Sequence, residues 1–212
     1  GRIGMPVRPA FVSAVLFLSV LGVSLSGPLV RLSSAHPIAI AVWRLAFSLA
    51  LIAIPLAIGG SWRQWPTLDG RSFGFASIAG LLLAIHFWCW NTSVGLTTIA
   101  ASVVLVNVQP LIVAALSAIW LREPPTRQQW AGIGIAMVGA IVVVLPDLIS
   151  TGGLASNRRA ILGDALALIG AITAASYYVI GRHLRQTLDL WAYVALVYGA
   201  CLGTLLLMAL AL

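Results

Sequence analysis

Charge is what this sequence lacks most. Of its 212 residues only 8% are charged, and none of the basic ones is lysine. A soluble domain of this length carries about 25% charged residues, so water is excluded as the solvent for most of its outer face. Acids are scarcest: Asp69, Glu123, Asp147, Asp164 and Asp189 are all there are. No two share an apolar run, which argues against an intramembrane aspartyl protease. His36, His86 and His183 are scattered, and there is no HExxH, GxSxG or Walker A pattern. The two cysteines, Cys89 and Cys201, each sit inside an apolar run. They have neither metal-ligand spacing nor the density of a disulfide framework, and read as small apolar fillers. No cofactor, no metal site and no catalytic residue is expected.

What the chain has in abundance is hydrophobic length. Apolar residues make up 61% of it, and the mean hydropathy is +1.05. Runs at about 10–30, 37–58, 72–94, 97–121, 128–146, 161–181 and 189–211 are each near the ~20 residues that cross the ~30 Å of a bilayer's hydrocarbon. They are too long and too evenly apolar for barrel strands, and lipid-facing backbone must satisfy itself, so the expected fold is all-α and membrane-integral with about seven spans. The first run lacks a cleavage site and reads as a retained helix. Turn chemistry marks the breaks at Ser33 to Pro37, Gly59 to Ser61 and Arg122 to Pro125, and the polar stretch 147–160 reads as a linker.

The net charge of +7 carries topology rather than nucleic-acid recognition. The arginines stand singly or in pairs between apolar runs, with no basic stripe. With the N-terminus in the cytoplasm, Arg2, Arg8, Arg63, Arg71, Arg122, Arg127, Arg182 and Arg185 fall inside, while Arg31, Arg158 and Arg159 fall outside. That eight-to-three bias fixes the expected orientation in a cell (inner) membrane. Trp62, Trp65, Trp120, Trp130 and Trp191 then form an aromatic belt at the cytoplasmic boundary. Small-residue stripes predict close helix packing at Gly163, Ala167, Ala171 and Ala175, at Gly132, Ala136 and Ala140, and at Gly199 with Gly203. The stretch from Pro28 to Ile58 aligns faintly with Val179 to Leu210 across five spans, an odd number that inverts the second copy.

Few residues could carry chemistry. Arg44 lies seven residues past Pro37, about 10 Å into its span. It is either an anchor for an anionic solute group or a structural cation bonded to backbone carbonyls. His86, Trp88, Trp90 and Asn91 cluster in the third span, as pocket lining or as interhelical packing. Asn107 lies near the midplane of the fourth span, where Pro110 cannot donate to the carbonyl of Val106, and Pro28 does the same to Ser24 in the first. A wet cavity or a neighbouring helix could satisfy such groups. Tyr177, Tyr178 and Ser176 are further candidates for a cavity wall. Asp164 reads as an interfacial helix-start residue.

The string His36-Pro37-Ile38-Ala39-Ile40-Ala41-Val42-Trp43-Arg44, then Pro110-Leu111, then Ile119-Trp120-Leu121-Arg122-Glu123-Pro124-Pro125 with Gln129, Gly132 and Gly139, resembles the EamA family of the drug/metabolite transporter superfamily. The resemblance implies a ten-helix transporter of two inverted five-helix repeats that exports or exchanges metabolites or drugs by alternating access. On that reading residues 10–146 form a first repeat, 147–160 the linker, and 161–212 two helices of a second repeat whose last three helices are absent. A cavity between the first, third, fourth and sixth spans is expected to bind a small, partly apolar metabolite. His86, Trp88 and Tyr177 would touch its apolar body, Asn91 and Asn107 would hydrogen-bond it, and Arg44 would pair with a carboxylate. The expected partners are membrane lipid and that solute, with no nucleic acid; a homodimer stays open. The competing classes are a membrane-embedded enzyme acting on lipid-linked substrates, which needs acids converging at an interface, and a scaffold that transports nothing.

Overall fold

The apolar runs form helices whose ends are set by capping groups. In the computed structural model, residues 9–122, 124–150 and 158–211 are described; Arg2, Arg8, Glu123 and the middle of the 147–160 linker lie outside them. The helices are α1 (Pro9–Leu32), α2 (Pro37–Gly59), α3 (Gly70–Leu96), α4 (Ile99–Val106), α5 (Gln109–Leu116), α6 (Arg127–Ser150), α7 (Arg158–Leu184) and α8 (Leu190–Leu210). A 3₁₀ segment, Ser61–Thr67, joins α2 to α3, and a π-helical turn, Ser117–Leu121, ends α5. Among the described residues six segments are long and apolar enough to cross a membrane: α1, α2, α3, α7, α8 and the Ile99–Trp120 run. The fifth expected span is the α6 helix.

Side-chain caps start these helices. Asp69 accepts from Ser72 N–H at 3.0 Å, Thr98 from Ala101 N–H at 3.0 Å, and Asp189 from Ala192 N–H at 2.9 Å. At α6, Thr126 and Gln129 form a capping box, each side chain accepting from the other's backbone N–H at 3.3 and 2.8 Å. Gln129 therefore has a structural reason to be where it is. Gly60 closes α2 with φ of 66°, a left-handed conformation that favours glycine.

Three helices make the centre. α3 packs most extensively against α7, then against α8, and α2 lies along α8 and α3. α7 also receives α4 and α5, while α6 rests on α4. α3 and α7 are antiparallel: Gly163 meets Leu96 and Thr97, Gly170 meets His86 and Cys89, and the Phe75 and His183 rings are 5.8 Å apart. The small residues of α7 permit this, since Ala167, Ala171 and Ala175 are fully buried. The other two stripes do something else: a Cβ at Gly132, Gly199 or Gly203 would meet nothing within 4 Å. The outward surface is oily, with Phe17, Leu51, Ile58, Ile135 and Leu210 among the exposed side chains. Contiguous apolar surface on this scale belongs against lipid or further protein.

α1 touches the bundle only near its end. Gly27 lies over Ile99 and Val103, and the Arg31 guanidinium donates to the carbonyls of Val94 and Thr97 (the latter at 3.0 Å) at the C-terminus of α3. A cation there satisfies carbonyls left open by the helix end and meets the negative end of its dipole. Pro28 does not interrupt α1, which runs on to Leu32. Its ring is on the exposed side, where no packed neighbour resists a slight bend.

At the other end of the bundle a clasp joins the loop after α2 to the start of α8. Gln64 Nε2 donates to Asp189 Oδ2 at 2.7 Å, Asp189 N–H donates to Gln64 Oε1 at 3.0 Å, and Trp65 Nε1 donates to the Ala192 carbonyl at 3.1 Å. Burial pushes the Asp189 carboxyl up, but hydrogen bonds from Ala192, Ser61 and Gln64 outweigh it and hold the group below its ordinary range. A carboxyl depressed on folding adds stability above its unfolded value of about 3.9, and that stability is lost as pH falls through the folded value. Asp189→Ala is therefore expected to lower stability by about 0.5–2 kcal/mol at neutral pH. The gap to the native protein should close when melting curves are repeated from about pH 6 toward about pH 3.

Candidate functional site

The fourth span is broken at mid-depth. Pro110 has no N–H to continue the ladder, and the chain turns at Asn107 and Val108 before α5 begins at Gln109. Asn107 and Val108 both keep right-handed helical dihedrals, and their N–H groups donate to Val103 and Leu105 at 3.0 and 3.3 Å. The break is therefore a local tightening of the turn, and the Val106 carbonyl is what loses its helical donor at Pro110. Hydropathy alone makes 97–121 one span; the structure divides it into α4, a two-residue break, α5 and the π-turn. Asn107 is exposed at the break, and its side chain donates back to the Val103 carbonyl at 2.8 Å.

α3 supplies the other polar groups. His86, half-buried, sets Nδ1 2.9 Å from the Gly170 carbonyl of α7. A ring nitrogen facing a carbonyl must carry the hydrogen, which leaves Nε2 as the acceptor of the neutral ring. The His86 ring lies 5.3 Å from that of Phe87, and the Arg44 guanidinium sits 5.0 Å over the Phe87 face. Arg44 has no carboxylate partner among the described residues. Asn91, 2% exposed, donates to the Pro37 carbonyl at 3.0 Å and so ties α3 to the first turn of α2.

Unmatched polar atoms gather toward the same end of α3. Trp90 Nε1, Asn91 Oδ1, Thr92 Oγ1 and, on α7, Asp164 Oδ1 are buried without a hydrogen-bond partner. Each costs about 1–3 kcal/mol if left so, which makes this end of the α3 and α7 pair receptive to water or a polar ligand. Ser93 and Ser102, also buried, satisfy one another at 2.9 Å.

The six expected residues are not assembled into one chamber. Arg44 and His86 are linked through Phe87, Asn91 points to α2, and Trp88 is half-buried on α3. Tyr177 turns to the α8 side: it is buried with Tyr193 in the α3 and α8 core and has its ring 5.0 Å from that of Tyr178. Asn107 stands apart at the break after α4. A depression of about 360 Å³ between the start of α2 and the end of α8 is lined by His36, Ile38, Val42, Trp43 and Leu206, among others, and by none of the six. Phe87, the common neighbour of Arg44 and His86, carries no signal in the sequence, because nothing marks one Phe among many apolar residues of a span.

A polytopic helical bundle with an oily exterior, one span broken at mid-depth and an intramembrane arginine is a multi-pass membrane protein. The comparisons with known proteins give the particular family. Residues 10–145 match the EamA-like transporter family, and the chain belongs to it. An uncharacterized transporter of Archaeoglobus fulgidus is 30% identical over 150 residues, 70% of this chain and 48% of that protein. The uncharacterized transporter YcxC of Bacillus subtilis is 22% identical over 185 residues, 86% of this chain and 56% of that protein. A crystal structure covering 94% of this chain and 64% of its own shares the fold, with a TM-score of 0.65 at 21% identity. The chain thus spans about half the length of the curated relatives it matches.

Proposed function

We propose that the protein moves small, partly apolar metabolites or drug-like solutes across the inner membrane by alternating access, as one part of a ten-helix arrangement of two inverted repeats. The observation that carries the reading is the break in the fourth span, at Asn107 and Val108, in a member of a transporter family. Discontinuous helices at mid-depth are how many secondary transporters offer unpaired backbone groups to solutes. Arg44 supplies a cation for a carboxylate, with His86 beside it, and Asn91 and Thr92 hold unmatched acceptor or donor atoms. Trp88 and Tyr177 supply apolar surface. The excess of arginines on the end bearing Arg63, Arg71, Arg122, Arg127, Arg182 and Arg185 supports a cytoplasmic N-terminus.

Uptake of labelled amino acids into vesicles carrying the full-length protein tests this. Asn107→Ala should raise the half-saturating concentration roughly tenfold, the loss of about one hydrogen bond to the solute. Unchanged transport would remove Asn107 from the site.

A further inference from the structure

Three rings from three different spans meet at the arginine-rich end of the bundle. Phe75 comes from the second turn of α3, Trp120 from the π-turn after α5, and His183 from the last turn of α7. Phe75 and Trp120 are 6.0 Å apart edge to face, Phe75 and His183 5.8 Å apart edge to face, and Trp120 and His183 6.4 Å apart. All three separations lie within the range of attractive ring pairs. Aromatic residues at a membrane boundary ordinarily turn outward to the headgroups. These contact one another while Trp120 and His183 stay exposed within this chain, and Phe75 is partly buried against the core.

The backbone is irregular at Trp120. The π-turn ends with Arg122 N–H donating to the Ser117 carbonyl, and Arg122 itself takes a φ of 56°, the one positive value at a non-glycine residue among those described. A π-turn inserts one extra residue, rotating the residues after it by about 100° relative to a continued α-helix. Trp120 lies inside that turn, at the point where the chain leaves the fourth span.

The rings stand in line with candidate pathway residues. His86 is eleven residues beyond Phe75 on α3, a near-complete three turns, and so shares its face. Ser176 is seven residues before His183 on α7, two turns away on the same face and about 10 Å deeper. We infer that Phe75, Trp120 and His183 form an aromatic gate that closes the solute pathway at its arginine-rich end, and that a solute crosses only when Trp120 leaves the other two rings. The inference rests on the proposed transport activity, with its pathway in the cavity expected between the first, third, fourth and sixth spans.

The test places a reporter on the far side of the rings. Ser176→Cys is introduced with Cys89 and Cys201 replaced by alanine, and the full-length protein is reconstituted in lipid vesicles. A charged, membrane-impermeant thiosulfonate is then applied from either face. The expected result is slow reaction from the arginine-rich face, accelerated roughly tenfold or more when Trp120→Ala or Phe75→Leu removes ring contacts, with the rate from the opposite face unchanged. The two gate variants guard against one failing to fold. If both leave the arginine-rich-face rate unchanged while the opposite face still reacts, the gate is wrong and the pathway stands. Equal reaction from both faces in the unmodified gate would also overturn it. No reaction from either face in any variant would sink the pathway itself.

Discussion

Replacing Gly80 with alanine is expected to destabilise the bundle by about 1–3 kcal/mol, a typical cost of forcing extra volume into a packed interface. Gly80 is where α3 crosses α8. A Cβ there would stand 2.5 Å from the Ala200 Cβ, 2.8 Å from the Cys201 nitrogen and 2.9 Å from the Val197 carbonyl oxygen. Two of these are backbone atoms and cannot rotate aside, so the helices must separate. Val197, Cys201 and Leu205, all fully buried, would lose packing on the α3 side. Two other glycines calibrate the effect. At Gly181 the obstacle is the Tyr193 hydroxyl together with Cζ at 2.8 Å, on a ring that is itself buried, so Gly181→Ala should be costly as well. At Gly199 nothing lies within 4 Å, and Gly199→Ala should be near neutral. Thermal unfolding in one detergent should place the Gly80 and Gly181 variants both below the Gly199 variant; a Gly80 variant as stable as the Gly199 variant would contradict the crossing.

The second large effect is expected at Arg44. Its guanidinium stacks on Phe87 and has no acid beside it among the described residues. Arg44→Gln keeps a polar side chain with two N–H donors but is shorter and removes the charge. If the cation pairs with a solute carboxylate, the change should weaken uptake of a carboxylated solute about 10- to 100-fold, the range for a hydrogen bond to a charged group. It should leave uptake of the corresponding neutral amide nearly unchanged. A purely structural Arg44 would instead lower stability and depress both uptakes together. The pair of solutes therefore separates the two roles that the sequence leaves open for this residue.

The helices were legible because lipid imposes one simple pattern, length with hydropathy, and that pattern survives without knowledge of neighbours. The break in the fourth span was foreshadowed by Pro110, whose chemistry is local; Pro28 gave the same signal, yet its exposed ring left α1 continuous. Packing faces were harder. The α7 stripe beginning at Gly163 is buried as its spacing suggested, whereas Gly199 and Gly203 carry the same spacing on a face open within this chain. Spacing says that a face is small, not what lies against it. Ala76, Gly80 and Ala84 repeat every four residues and are all buried, so the α8 crossing carries the same local signature as the α7 stripe. The Gln64 and Asp189 clasp spans 125 residues, and no local rule pairs them. The candidate site suffers the same limit: Arg44, His86, Asn91 and Asn107 were visible as polar groups out of place, while their directions depend on tertiary neighbours such as Phe87 and Pro37.

The central claim is that the break in the fourth span borders an aqueous solute path rather than lipid. Cysteine labelling at Asn107 tests it most directly. In lipid vesicles, Asn107→Cys should react with a membrane-impermeant thiol reagent at a rate approaching that of Ser34→Cys in the loop before α2, and a transported solute should slow it. Ile135→Cys, 74% exposed on the apolar surface of α6, should stay unmodified. An Asn107→Cys as inert as Ile135→Cys would contradict the account.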